Sequence, residues 1–229
     1  MSANIAIIPA RGGSKRIPRK NIRDFLGKPI IAYSIETALA SKLFDEVMVS
    51  TDDPEIAEIA RKYGAKVPFM RSSKNADDFA STFSVIKEVL SAYKNENIQW
   101  ENGCCIYPTA PLTTSEQLST GYEILLSKKF STIFPIVKFD YPVWRGLVKS
   151  DDKIRMKWPE YLNSRSQDLE PVFHDAGQWY WFNTYLLLAE DKLFGENAGY
   201  LELSPNNVQD IDTLSDWEMA ELKYQKHHS

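Results

Sequence analysis

Residues 9–21, Pro9-Ala10-Arg11-Gly12-Gly13-Ser14-Lys15-Arg16-Ile17-Pro18-Arg19-Lys20-Asn21, set two adjacent glycines among closely spaced cations. Gly12 and Gly13 lack a Cβ, so their N–H groups can close on an anion, while Arg11, Lys15 and Lys20 can neutralise several phosphate oxygens. The basic block runs on through Arg23 to Lys28 in a chain whose net charge is −4. Positive charge concentrated in an acidic protein points to a small polyanion and away from nucleic acid. A nucleoside triphosphate fits this loop. It is not a P-loop, because Gly27-Lys28 is followed by Pro29, and no Gly-x-Gly-x-x-Gly dinucleotide fingerprint is present. The plain alternative is a solvated basic turn.

A second chemical element lies near the carboxyl end. In Asp210-Ile211-Asp212 the carboxylates stand at i and i+2, and in an extended segment they project from one side. Two hard oxygen ligands there suit Mg²⁺, which keeps waters and binds phosphates through one or two carboxylates. Alternatively, Asp212 or Thr213 simply starts the following helix.

Elements with a regular α/β rhythm must position these residues. Asn4 to Ala10 reads as a strand feeding the basic loop, and a helical pattern follows from Pro29 to about Ser41. Glu46 to Ser50 reads as a buried strand, and Asp53-Pro54-Glu55 as the cap and first turn of a helix that ends before Gly64. Further strands are expected at Lys66–Phe69, Cys104–Tyr107, Thr132–Val137, Gln178–Phe182 and Tyr200–Leu203, with helices over about Thr82–Lys94, Ser115–Lys128 and Leu214–Tyr224. Asp52 and Asp53 follow the second strand at a ligand-facing position, but Asp53-Pro54 is explained as a helix cap and neither is assigned chemistry; Asp77 and Asp78 precede a helix and likewise read as caps. The alternation implies a three-layer α/β fold, a mainly parallel Rossmann-like sheet covered on both faces. Its basic loop leaves the carboxyl end of the first strand, where ligands bind in such sheets.

The rhythm breaks over about residues 138–178, where Tyr141, Trp144, Trp158, Tyr161 and Phe173 alternate with charges and prolines. We read this as an arm inserted in a single domain spanning 1–229, its aromatics covered by a second copy of the chain. The 229 residues and 43% hydrophobic content suit one packed domain. No apolar run reaches the roughly 18 residues of a membrane span, and Met1-Ser2-Ala3-Asn4 opens no signal peptide, so a cytoplasmic protein is expected. Cys104 and Cys105 are adjacent in a strand-like run, facing opposite sides, and read as core packing.

The basic loop, Phe69-Met70-Arg71-Ser72 with Ala80-Ser81-Thr82, Tyr107-Pro108-Thr109-Ala110-Pro111-Leu112, and Gln209-Asp210-Ile211-Asp212-Thr213 with Asp216-Trp217, taken in that order, resemble the signatures of CMP-sialic acid synthetases and related CMP-sugar cytidylyltransferases. The resemblance runs nearly end to end. It implies a fold of the nucleotide-diphosphosugar transferase type, Mg²⁺ as cofactor, CTP and a nonulosonic acid as substrates, and a homodimer. Arg11, Ser14, Lys20 and Asn21 would hold the triphosphate with Gly12, Gly13 and Lys15. Arg71 and residues Ala80, Ser81 and Thr82 would line the cytosine pocket, and Asp210 and Asp212 would bind the metal. Arg11, Lys20 and Asp212 would be catalytic. In the family the arm exchanges between subunits, which makes Lys138 and Arg165 candidates for contacts to the partner's substrate; an ion pair of Arg165 with Asp168 or Glu170 is the alternative.

Two departures lie near the expected sugar site. Tyr107 stands where sialic acid synthetases commonly have Gln, and Ala176-Gly177-Gln178-Trp179-Tyr180 replaces an Asn-Gly-Ala-Ile-Tyr type stretch. We therefore place Tyr107, Thr109, Lys138, Arg165, His174 and Gln178 at the sugar and expect Trp179 or Trp181 to form an apolar wall beside it. Arg165-Ser166-Gln167-Asp168-Leu169 with His174-Asp175-Ala176-Gly177-Gln178-Trp179 looks most like the branch of the family that acts on pseudaminic acid, a deoxygenated diacetamido relative of sialic acid. N-acetylneuraminic or legionaminic acid is the alternative acceptor. From a different class, the alternative is an inactive nucleotide-binding dimer.

Overall fold

Alternate side chains of Asn4–Pro9 (β1) enter two different cores: Ala6 and Ile8 pack on one side, Ile5 and Ile7 on the other. A strand buried on both faces belongs inside a covered sheet. The computed structural model describes residues 3–77 and 80–228, and Asp78 lies outside them. After β1 come the short hairpin Asp24–Phe25 (β2) and Lys28–Pro29 (β3), Ile30–Ser41 (α1), Glu46–Ser50 (β4), Pro54–Lys62 (α2), Thr82–Asn95 (α3) and Asn102–Ile106 (β5). Ser115–Lys128 (α4), Thr132–Lys138 (β6), Leu147–Ser150 (β7), Lys153–Met156 (β8) and Phe173–Asp175 (β9) follow. The chain closes with Trp179–Asn183 (β10), Thr184–Glu190 (α5), Ala198–Glu202 (β11) and Leu214–His228 (α6).

The main sheet has 7 strands in the order β11-β6-β10-β5-β1-β4, with β9 added alongside β6. Strands β4, β1, β5, β6 and β11 share one direction, and β10 and β9 oppose it. The expected mainly parallel α/β sheet is present, with an antiparallel strand in its middle. Helix starts follow local chemistry. Asp53 caps α2 by accepting from the N–H groups of Glu55 and Ile56 with Pro54 behind it, and Thr114 with Gln117 forms a reciprocal capping box on α4. Cys104 and Cys105 are free, buried and divided between the two cores. Among the described residues no helix is long and apolar enough to cross a membrane.

Two expectations are corrected, and one helix is added. Lys66–Phe69 is not a strand: Lys66 makes one bridge to Met48, after which Pro68, lacking an N–H, ends the pairing. Helix α5 breaks out of the apolar run after β10, where Asn183 caps it. The second correction concerns the tryptophans. Trp179 and Trp181 are both fully buried and face the α4 side, Trp181 stacking on Phe44 and donating its indole N–H to the Leu118 carbonyl. Residues i and i+2 share a strand face, so neither forms a wall beside a sugar. Tyr180, between them, faces the opposite side. A Cβ on Gly121 would meet the Trp179 ring at 2.5 Å, which explains a glycine inside α4.

The arm leaves β6, forms the β7–β8 hairpin, and returns through β9. Tyr141, Leu147, Ile154 and Leu162 on it are exposed. A third cluster, Ile17, Phe25, Ile30, Tyr33, Ile211, Trp217 and Ala220, fastens α6 to the basic loop.

Because Trp181 fills core volume, Trp181→Ala is expected to destabilise the fold by about 3–5 kcal/mol. Denaturant unfolding measures this; a loss under about 1 kcal/mol would return Trp181 to the surface of a site.

Candidate active site

The basic loop leaves β1 beside the end of β4, and its shape is set by residues that touch each other. Asn21, buried, donates its amide to the Arg11 carbonyl at 2.9 Å, and Gly12 donates its N–H to Asp52 Oδ1 at 3.0 Å. The two glycines differ in purpose. A Cβ on Gly12 would lie 2.6 Å from Asp53 Oδ2, whereas one on Gly13 would meet nothing within 4 Å. Gly12 therefore allows the loop to approach the α2 cap, and open space adjoins Gly13. Arg19 reaches Asp53 and Glu55, pinning the loop to α2.

The loop borders a cavity of about 570 Å³ lined by Arg11, Ser14, Lys15, Arg16, Lys20 and Asn21 on one side and by Arg71, Ala80, Thr82, Tyr107 and Thr109 on the other. Residues far apart in the sequence thus converge on one cavity. Arg71 is buried; its Nε donates to Ser50 Oγ at 3.0 Å, and burial lowers its affinity for the proton while Asp52 and Glu88 oppose that. Tyr107 and Thr82 share a hydrogen bond of 2.8 Å at the inner end, where burial pushes the phenol's pKa up. Arg11 NH1 donates to the Asp77 carbonyl at 3.0 Å, closing the cavity's far side.

Lys20 links this cavity to the acidic segment. Its Nζ donates to the Ile211 carbonyl at 2.7 Å and lies 3.8 Å from Asp212 Oδ1, while Arg16 NH1 contacts Asp212 Oδ2 at 2.7 Å. Burial holds the Lys20 ammonium below its usual pKa, and the two aspartates partly offset this. Ile211 is buried in the third cluster, so Asp210 and Asp212 are both turned outward, as the i, i+2 spacing predicts. Burial first, then the Asp212 charge, raises the Asp210 carboxyl above the usual carboxylate range. The two acids feel each other, the situation a divalent cation relieves. Among the described residues no cluster of three or more metal-ligating side chains exists. Two carboxylates suit Mg²⁺ bound together with phosphate oxygens and water, so the donor set fits that ion.

Asp210 and Asp212 face a second cavity, about 680 Å³, with Lys138, His174, Asp175 and Lys223 also on its wall. The sugar candidates are thereby divided: Tyr107 and Thr109 lie on the first cavity, Lys138 and His174 on the second. Gly12 and Gly13 line neither cavity, and three further candidates are placed elsewhere. Gln178 is buried and donates its amide to the Asn207 carbonyl at 2.7 Å, a tie between β10 and the loop before Asp210. Ser81 is the cap of α3, accepting from the Ser84 N–H. Arg165 pairs with Asp168 at 2.7 Å on the exposed arm, the alternative weighed for it. Asp52, noted at a ligand-facing position but given no role, is the residue the sequence reading missed; lying just past β4, which neighbours β1, it sits at the same sheet end as the loop.

An α/β sheet carrying a basic loop and an acid pair at its ligand-binding end defines a nucleotide-handling transferase fold. The family model described as cytidylyltransferase matches residues 5–145, and the chain belongs to the cytidylyltransferase family. It is 44% identical to the pseudaminic acid cytidylyltransferase of Campylobacter jejuni subsp. jejuni serotype O:2, over 98% of this chain and 97% of that one. It is 32% identical to the CMP-N,N'-diacetyllegionaminic acid synthase of Legionella pneumophila subsp. pneumophila, over 95% and 94%. The solved structure of CMP:2-keto-3-deoxy-manno-octonic acid synthetase complexed with CTP superposes with a TM-score of 0.72 at 18% identity, covering 99% of this chain and 100% of that one, and shows the shared fold.

The Arg19 hydrogen bond chiefly holds the Asp53 carboxyl below its usual range, helped by the Ile56 and Glu55 N–H groups. A folded-state pKa below the unfolded value of about 3.9 adds stability that is present above that pH and lost as pH falls through the folded value. Asp53→Asn should therefore lose less stability than the parent between pH 5 and pH 2 (roughly the window set by those values) in acid-unfolding curves; parallel curves would contradict this.

Proposed function

We propose that this chain transfers CMP from CTP to the anomeric hydroxyl of a nonulosonic acid, pseudaminic acid before the others, releasing pyrophosphate. The observation that carries the reading is Lys20, which lines the nucleotide cavity and at the same time bonds the segment holding Asp210 and Asp212. A triphosphate lying along Arg11, Lys15 and Lys20 would bring its α-phosphorus to the junction with the second cavity, where the sugar acid would lie. The names of the relatives, pseudaminic acid at 44% identity against diacetyllegionaminic acid at 32%, favour the first acceptor.

Arg11, Lys15 and Lys20 would bind the triphosphate and stabilise the charge that grows on the leaving pyrophosphate. Lys20, fixed by the Ile211 carbonyl, holds its charge in place without reorganisation. Arg71, Ala80, Thr82 and Tyr107 would enclose the base end. A carboxylate of the acid pair takes up the proton of the attacking hydroxyl, and in-line placement of the two substrates supplies much of the rate. Asp210 and Asp212 would hold Mg²⁺, which supplies charge neutralisation at the phosphates when bound. The exposed Tyr141, Leu147, Ile154 and Leu162 support pairing of the arm with a second copy.

The test is pyrophosphate release from CTP with pseudaminic, legionaminic and N-acetylneuraminic acids supplied separately, with and without Mg²⁺. Metal-dependent release greatest with pseudaminic acid is expected; greater release with another acid would overturn the acceptor, and none with any would overturn the reaction. Light scattering should give a mass near twice 26.2 kDa, and an active monomer would refute the paired arm.

A further inference from the structure

Asp175, on the wall of the second cavity, has been given no role so far. It ends β9, opposite Ile136, and its carboxylate is held in place from the protein side. Gly177, at φ +63°, folds the backbone back so that its N–H donates to Asp175 Oδ1 at 2.9 Å. Tyr180, buried, donates its phenol O–H to Oδ2. Two donors thus fix a carboxylate that remains exposed on its other side.

An ionised carboxylate offers about four lone-pair sites, and two are occupied here. Among the described residues Asp175 is in no ion pair, unlike Asp212, which faces the same cavity and contacts Arg16. A fixed anion with open lone pairs and no cation repels the acid group of a ligand and attracts a neutral N–H or O–H. Of the cations at the same cavity, Lys138 ends β6 two positions beyond Ile136, the partner of Asp175 across the β6–β9 pair, and Lys223 lies on α6; neither forms an ion pair with Asp175. A nonulosonic acid carries both kinds of group: one carboxylate, and acylamino or hydroxyl donors. The cavity therefore offers such a ligand both cations and a fixed acceptor.

We propose that Asp175 is a specificity-determining residue that accepts a hydrogen bond from an acylamino N–H or a hydroxyl of the acceptor sugar. The inference rests on the acceptor being a nonulosonic acid. Tyr180 is the positioning residue behind it, and its ring lies 5.3 Å from that of Tyr107, which lines the nucleotide cavity. This ring contact links the walls of the two cavities. A hydrogen bond to a charged group is worth about 1.5–3 kcal/mol, which is roughly a 10- to 150-fold change in affinity.

Steady-state kinetics of Asp175→Asn and Asp175→Ala with CTP, Mg²⁺ and the best acceptor test this. The KM for the sugar acid should rise at least about 10-fold while the KM for CTP stays near that of the parent, and in Asp175→Asn, which keeps an acceptor oxygen, the thermal unfolding midpoint should stay near the parent's as well. Acceptor analogues distinguish the donors: if an acylamino N–H makes the bond, N-methylation of that group in the parent enzyme reproduces the loss, and if a hydroxyl makes it, the deoxy analogue does. An unchanged sugar KM, or equal rises for sugar and CTP, would overturn the proposal. A parent enzyme inactive with every nonulosonic acid would instead overturn the reaction on which it rests.

Discussion

The packing of Ile17 and Ile211 into one small aromatic cluster is the constraint on which the site depends. Phe25 lies edge-on to Tyr33, Trp217 and Tyr224, with ring centroids 5.2–5.9 Å apart, and the two isoleucines are sealed among these side chains. Each isoleucine is flanked by functional residues. Burying Ile17 turns Arg16 outward, and burying Ile211 turns Asp210 and Asp212 outward. The cluster thus joins the cationic loop to an acidic segment some 191 residues later, and the Lys20 to Ile211 hydrogen bond sets their register. Aromatic pairs of this kind add about 0.5–1.5 kcal/mol beyond area burial, so rigidity at the site comes from apolar packing more than from the ion pairs above it.

The electrostatics follow from that packing. Cations from the loop and anions from the segment are held near one another without being fully buried, so neither set neutralises the other completely. Arg16 and Lys20 neighbour Asp212, while Asp210 keeps a raised carboxyl. Asp216 supports the arrangement by accepting from the N–H groups of Asp212 and Thr213.

Most of the sheet was legible in the sequence because buried strands of β-branched residues and well-capped helices state themselves locally. Ser115–Lys128 is bounded by Thr114 with Gln117 at one end and a left-handed Lys129 at the other. The basic loop and the acid pair were legible for a similar reason: their residue types and spacings are local. What was not legible depended on direction or long-range pairing. The sequence around Trp179 and Trp181 is equally apolar on both strand faces, so only the packing of α4 decides which side they fill. Gln178 and Asp52 carry ordinary polar side chains whose partners, Asn207 and Gly12, are 29 and 40 residues away. The Lys66 segment looked like a strand until its edge pairing was interrupted at Pro68.

Native-state hydrogen exchange tests most directly whether one cluster holds both halves of the site. The amides of Lys20, Ile22 and Arg23 in the loop, and of Trp217 behind the acid pair, are all hydrogen-bonded and can be followed individually. The account predicts that Trp217→Ala raises exchange in both groups together and leaves β1 amides such as Ala6 and Ile8 protected. Unchanged protection of the loop amides in that variant would contradict it.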